Sequence, residues 1–155
     1  MRTDIPGWGN IDIQNIVLDL NGTIATDGRI PVDVKKKIES LSKMVRIYIL
    51  TADTYGSAAE EVLGVNAELV KIPEGESKRG KFEFLKTLNL ETTVAIGNGS
   101  NDQLVLKEAA LGVAVLGVEG MSASTIKNAD IVVKDIHDAL DLFLKPKRLI
   151  ATLRE

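Results

Sequence analysis

The sequence predicts an α/β fold, a three-layer sandwich with a parallel sheet between two layers of helices. Three observations carry that prediction. Short apolar runs rich in β-branched residues recur along the chain, as buried parallel strands do. Stretches with helical spacing separate them, so strand and helix alternate. The connections are short and turn-rich, as in Asp27-Gly28-Arg29, Pro73-Glu74-Gly75-Glu76 and Gly117-Val118-Glu119-Gly120, and none is long enough to hide a second domain.

In chain order, the strands are expected at Ile16 to Leu20, Val45 to Leu50, Ala67 to Ile72, Val94 to Ile96, Leu111 to Leu116 and Ile131 to Val133. The helices are expected at Val32 to Met44, Ser57 to Leu63, Lys78 to Leu88, Asp102 to Ala109 and Ile136 to Leu144. Lys145-Pro146-Lys147-Arg148 reads as the end of the last helix, followed by a short basic and apolar terminus suited to packing or dimerisation. At 155 residues the chain is the size of one domain, taken here as 1–155, with disorder expected only at the two ends.

Composition excludes several kinds of chemistry. There is no cysteine and one histidine, His137, which removes disulfides, thiol nucleophiles, Ser-His triads and Cys/His zinc sites. His137 falls in the first turn of the last predicted helix and reads as a surface residue. The formal charge of −3 is spread over the chain, without the clustered Lys/Arg and interleaved aromatics of a nucleic-acid reader. No apolar run reaches the ~20 residues of a membrane span, and residues 1–10 lack the regions of a signal peptide. A cytoplasmic protein without nucleic-acid or membrane partners is expected. Its chemistry must run on carboxylates, amides, hydroxyls and lysines.

In an open parallel sheet, ligands bind beyond the carboxyl ends of the strands. Three such ends are polar. Asp19-Leu20-Asn21-Gly22-Thr23 follows the first run, Thr51-Ala52-Asp53-Thr54 the second, and Gly97-Asn98-Gly99-Ser100-Asn101-Asp102 the fourth. Each alone is compatible with an ordinary turn, Asn-Gly above all. Turn chemistry does not require all three at equivalent strand ends, so they read as one site around Asp19.

Asp-x-x-Gly-Thr after a strand, a threonine closing a second and Gly-x-Gly-x-Asn-Asp after a later one together resemble the motifs of the haloacid dehalogenase (HAD) superfamily. The chain looks most like its soluble P-type-ATPase-like branch. The resemblance runs from about residue 15 to about residue 115 and implies a Rossmann-like, capless domain with strand order 3-2-1-4-5. It further implies that Asp19 attacks phosphorus to form an aspartyl phosphate, which water then removes. Thr51 with the backbone of Leu20, Gly22 and Ala52 would hold the phosphoryl oxygens, and Gly22 would let the backbone approach closely. A lysine that neutralises the phosphoryl charge is also implied. Lys81 is favoured, because Phe84, Leu85 and Leu88 form an apolar stripe behind it that would aim the helix start at the site. Lys78, with Phe82 and Leu85, is the alternative.

Two positions depart from the family pattern. Asn21 stands where most of these phosphatases carry an acid that protonates the leaving group and activates water. An amide cannot cycle a proton, and such help is worth ~10²- to 10⁴-fold. Asn98 replaces the first acidic residue of the last motif. The implied magnesium ligands are then Asp19, the backbone carbonyl of Asn21, the Asn98 side chain and Asp102, a set with one charge fewer and weaker Mg²⁺ binding. Slow turnover of good leaving groups, aryl or acyl phosphates, is expected. Asn21-Gly22 and Asn98-Gly99 are also dipeptides prone to deamidation, which would write aspartate into both positions.

The gaps between Asp19, Thr51 and Lys81 leave no room for a folded cap. An open site must accept a large substrate, tolerate slow chemistry, or be covered by a second copy in a homo-oligomer. The leading reading is a slow magnesium-dependent phosphohydrolase acting on a phosphorylated substrate. The alternative is a non-catalytic phosphate-binding or regulatory module on the same fold. A nucleotide or flavin binder is disfavoured, since no Gly-x-Gly-x-x-Gly follows the first strand.

Overall fold

The computed structural model describes residues 1–53 and 56–155, so Thr54 of the second polar strand end lies outside the described residues. The elements in chain order are β1 (Arg2–Ile5), β2 (Gly9–Asp12), β3 (Asn15–Asp19), α1 (Val32–Ser42), β4 (Arg46–Thr51), α2 (Ala58–Glu61), β5 (Glu68–Lys71) and α3 (Ser77–Lys86). They continue with β6 (Thr93–Gly97), α4 (Gln103–Glu108), β7 (Leu111–Val115), α5 (Ala123–Ile126), β8 (Ile131–Val133), α6 (Ile136–Leu144) and α7 (Pro146–Leu153).

Strands β3 to β8 form one six-stranded sheet in the order β5-β4-β3-β6-β7-β8, every pair parallel. In sheet-strand numbering this is 3-2-1-4-5, extended by a sixth strand. All six expected strands are present, and no cap is inserted among the described residues. Successive residues of a strand face opposite layers, and the packing follows that parity. Ile16 and Leu18 of β3 join the larger core with Val34, Ile38 and Leu41 of α1 and with Leu140 and Phe143 of α6. Val17 faces the other way, into a smaller cluster with Leu85 of α3 and Val105 and Leu106 of α4. Asp19 has the parity of Val17, which directs it to the α3/α4 layer.

Both termini pack against the larger core. β1 and β2 form an antiparallel hairpin that buries Ile5 and Ile11 in the larger core. Its strands are four residues each, with charged Arg2 and Asp4 outward, too short an alternation to stand out. The basic terminus is the helix α7. Pro146 begins it instead of only ending α6, because a proline at the first helical position gives up an N–H that would have no partner anyway. Leu149 of α7 is fully buried in the same core, and Glu155 N donates to Pro6 O at 3.2 Å. The terminus is therefore an intramolecular packing element. α5, a single turn, also went unforeseen.

One carboxylate fastens α7 to the body. Asp141 of α6 accepts from Lys37 of α1 at 2.5 Å, from Lys145 at 2.8 Å and from Arg148 of α7 at 3.2 Å. Burial alone would raise its pKa, but Lys145 and Lys37 outweigh burial and hold it at about 2. A carboxyl depressed in the folded state stabilises above its unfolded pKa and loses that contribution as pH falls through the folded value. The cations are partly solvated, so the effect is discounted. Asp141→Asn is expected to cost about 1–2 kcal/mol at pH 7. In urea denaturation, the difference from wild type should shrink as pH drops from about 4 towards about 2.

Candidate functional site

Asp19 ends β3 at the centre of the sheet, at its carboxyl edge, and is 8% exposed. Its two oxygens have different partners. Oδ1 accepts from Lys81 Nζ, and Oδ2 accepts from Thr23 Oγ1 at 2.8 Å. Lys81 lies in the first half of α3 and is 1% exposed. Leu85, fully buried, and Phe82, Phe84 and Leu88 hold α3 against the smaller core. Gly80 brings the helix close to the end of β5, where an added Cβ would sit 2.4 Å from Ile72 Cγ2. Of the two lysines weighed from the sequence, Lys81 is brought to Asp19 and Lys78 is exposed.

Lys81 also donates to Asp102 Oδ1 at 2.7 Å. Asp102 is 1% exposed, and its other oxygen accepts from Asn98 N at 3.0 Å and Gly99 N at 2.9 Å. A Cβ on Gly97 would lie 2.5 Å from Asp102 Cγ, so only glycine lets the strand end and the carboxylate pack this closely. Two carboxylates thus share one ammonium in a buried space. Burial first and the Asp102 charge second push the Asp19 pKa up, Lys81 opposes them, and the result is about 6. For Lys81, burial works against the charge, but Asp19 and Asp102 overcome it and raise its pKa. Lys81 stays an ammonium.

Thr23 carries more than its place in the motif suggested. Its hydroxyl lies 2.8 Å from Asp19 Oδ2 and 3.1 Å from Asn98 Oδ1, joining the first and last polar strand ends. The other end of the Asn98 amide, Nδ2, donates to Gly120 O at 2.9 Å. That bond leaves Oδ1 to the Thr23 hydroxyl and anchors the loop after β7, as does Ser122 N donating to Asn98 O at 3.0 Å. Gly22 has φ +79°, and an added Cβ would meet Asn98 Nδ2 at 2.5 Å. Thr51, 2% exposed, accepts from Asp53 N through its hydroxyl at 2.8 Å, a bond that uses an oxygen lone pair and not the hydroxyl proton. Asp53 itself is in the left-handed region at φ +53°. Its carboxylate accepts from Ala58 N at 2.9 Å and Lys71 Nζ at 2.7 Å, fixing the turn that carries Thr51 and Ala52. Leu20 buries its side chain in the core and offers the site only its backbone.

Asn21 is different from the other polar groups. Its Oδ1 is buried and has no hydrogen-bond partner among the described residues. The backbone nitrogens that would start deamidation are both engaged, Gly22 N with Ala25 O at 2.9 Å and Gly99 N with Asp102.

Among the described residues, no group of three or more His, Cys, Asp or Glu is placed to hold a metal. The oxygens facing Asp19 nevertheless suit a hard cation. Asn98 Oδ1 and Asp19 Oδ2 both accept from the Thr23 hydroxyl, and magnesium commonly binds through one or two carboxylates together with substrate phosphate. Asp102 has both oxygens occupied by Lys81 and backbone N–H groups.

No protein-family model matches the sequence. An uncharacterised protein of Methanocaldococcus jannaschii is 51% identical over 85 residues, 52% of this chain and 91% of that protein. The two belong to one family. The 3-deoxy-D-manno-octulosonate 8-phosphate phosphatase of Moraxella catarrhalis, solved with magnesium, phosphate and KDO, has a similar structure. Its TM-score is 0.71 at 15% identity, covering 92% of this chain and 94% of that one. A phosphatase of the HAD superfamily from Bacteroides thetaiotaomicron gives 0.64 at 13% identity, covering 92% and 96%. The fold is that of the HAD superfamily. Within it, the sequence is similar to a soluble P-type ATPase-like phosphatase of M. jannaschii, 26% identical over 145 residues. That match takes in 90% of this chain and about half, 52%, of that protein. The HAD resemblance read from the three motifs therefore holds for the fold.

The electrostatics of this site have a consequence for stability. A carboxyl whose folded pKa is raised destabilises once ionised, so the penalty is absent below the unfolded value near 3.8 and complete above about 6. Asp19→Asn leaves Lys81 balanced by Asp102 alone. It is expected to be more stable than wild type by about 1–3 kcal/mol at pH 7.5. Urea denaturation should show the two proteins converging as pH is lowered to about 4.

Proposed function

We propose that this chain is a phosphohydrolase that carries its phosphoryl group on Asp19. The observation that supports it best is the buried Asp19–Lys81–Asp102 cluster at the carboxyl end of the central strand, with the Thr51 hydroxyl closing the neighbouring strand. Polar groups are costly to bury unless they serve each other or a ligand. Here a nucleophile, a cation and a hydroxyl donor meet where an α/β sheet binds ligands.

Each residue has a role in this reading. Asp19 is ionised at neutral pH, its pKa lying at about 6, and attacks phosphorus to give an acyl phosphate. Lys81 remains charged beside it and compensates the charge gathering on the phosphoryl oxygens. Thr51 donates its hydroxyl proton to one of those oxygens. The backbone of Leu20, Gly22 and Ala52 lines the same turn ends. Asp102 holds Lys81 in place. Thr23 holds the Asp19 carboxylate and Asn98 in register. Magnesium would be held by Asp19, the Asn21 carbonyl and Asn98 Oδ1, with Asp102 behind them, and would supply charge neutralisation to the bound phosphate. That the Moraxella phosphatase of the same fold was solved with magnesium and phosphate supports the use of a divalent cation. No helix of the described residues is long and apolar enough to cross a membrane.

The test is hydrolysis of p-nitrophenyl phosphate with and without magnesium. Wild type should turn over slowly, faster with magnesium, with a rate that rises as pH passes about 6. Asp19→Ala should lose about 10³-fold or more, as removal of a covalent nucleophile does. Absence of turnover in well-folded protein that still binds inorganic phosphate would replace this reading with the phosphate-binding module.

A further inference from the structure

The six-stranded sheet ends on two open edges, β5 on one side and β8 on the other. An edge strand offers backbone N–H and C=O groups to any strand laid beside it. In β8, Val133 O accepts from Leu116 N at 3.0 Å and so faces β7. Backbone groups alternate in direction along a strand, which turns the N–H and C=O of Val132 towards the open edge. The Val132 side chain has the parity of Ala114, its partner on β7, which faces the smaller core. It is nevertheless 49% exposed, as is Leu116, which follows β7 with the same parity. Asp130 and Lys134 flank Val132 two residues away on either side, and both are exposed.

We infer that β8 is the surface through which two copies of this chain associate, edge to edge, with Val132 on a two-fold axis perpendicular to the sheet. Such an axis makes the two β8 strands antiparallel and joins each face of one sheet to the same face of the other. Directly opposed residues then have like parity. With the axis at Val132, its N–H and C=O exchange two hydrogen bonds with the same groups of the second copy. Asp130 falls opposite Lys134 twice, once on each side of the axis. Opposite charges facing each other across strands stabilise a sheet, and like charges destabilise it. A lysine on an edge ordinarily deters pairing, but in this register each lysine meets a carboxylate. Asp130 Oδ2 accepts from Gly112 N at 2.7 Å, which fixes the carboxylate beside the strand and leaves Oδ1 for the ammonium. The other edge lacks this self-complementarity. Glu68 and Lys71 of β5 are three residues apart and of unlike parity, so no two-fold register opposes them, and Lys71 is held by Asp53 at 2.7 Å. In the β8 pair the carboxyl ends of the two sheets point in opposite directions. Neither copy covers the Asp19 site of the other, so the association is independent of the activity proposed above.

Three strand residues and their flanks make a small contact, which belongs with weak, concentration-dependent association. The experiment is sedimentation equilibrium of the full chain, with amide hydrogen exchange at low and high protein concentration. Wild type should pass from monomer to dimer between about 1 μM and about 1 mM, and exchange at the Val132 amide should slow as dimer forms. Val132→Lys opposes two ammonium groups at the axis, and Lys134→Glu opposes carboxylates on both sides of it. Each should weaken association about tenfold or more, whereas Lys134→Arg should retain it. All three substitutions are at exposed positions, and circular dichroism checks that the fold is kept. Wild type that stays monomeric throughout overturns the inference. A dimer that neither Val132→Lys nor Lys134→Glu weakens, with Val132 exchange unchanged, overturns it as well, since that dimer uses another surface.

Discussion

The structure turns on one ammonium group. Lys81 is buried among apolar side chains of α3, and its charge is tolerable there only because Asp19 and Asp102 lie on either side of it. Removing the ammonium itself would cost roughly 3–5 kcal/mol, since it strands two buried carboxylates. That cost constrains three pieces of chain at once. β3 must end at Asp19, α3 must approach its first turn to the sheet, and the turn after β6 must deliver Asp102 from below. Gly80 and Gly97 are the points where side chains would prevent this. Site and fold are held by the same contact.

The balance of charge at that contact is uneven, and this suits a site for phosphate. One cation faces two anions, so the pocket is poorer in positive charge than an anion-binding site needs to be alone. A cation arriving with the phosphate would correct the shortage, which is the ordinary way magnesium meets phosphoryl groups. Of the two carboxylates, Asp102 is taken up by Lys81 and two backbone N–H groups, which leaves Asp19 as the one that faces a ligand.

Much of this was legible in the sequence. The six strands could be read because parallel strands buried on both faces have continuous β-branched runs, and the three polar strand ends followed from where such sheets bind ligands. Lys81 was preferred over Lys78 through the stripe of Phe84, Leu85 and Leu88, and that stripe is what packs α3. The termini were not legible. The hairpin β1–β2 takes its stability from docking onto the core through Ile5 and Ile11, a tertiary effect that leaves little local pattern, and Pro146 signals a helix start as readily as a helix stop. Nor could the sequence show what Thr23 and Asp53 do. Thr23 matters because two loops far apart in the chain meet at its hydroxyl. Asp53 matters because a left-handed turn puts its N–H on Thr51.

The two asparagines, alike in the sequence, are unlike in the structure. Asn98 needs to be an amide. Its Nδ2 donates to the Gly120 carbonyl, and a carboxylate there would set an oxygen against an oxygen and loosen the loop after β7. The close approach of Gly22 to the same nitrogen adds a second reason. The change at 98 is thus explained by packing, and the neighbouring turns have been built around it. Nothing comparable holds Asn21, whose oxygen is left without a donor among the described residues. An unsatisfied buried acceptor costs about 1–3 kcal/mol unless a ligand or water completes it, so the fold gains nothing from this amide. That acceptor, two residues beyond Asp19, is the one position at this strand end where a ligand or an ordered water would relieve a cost the described residues leave standing.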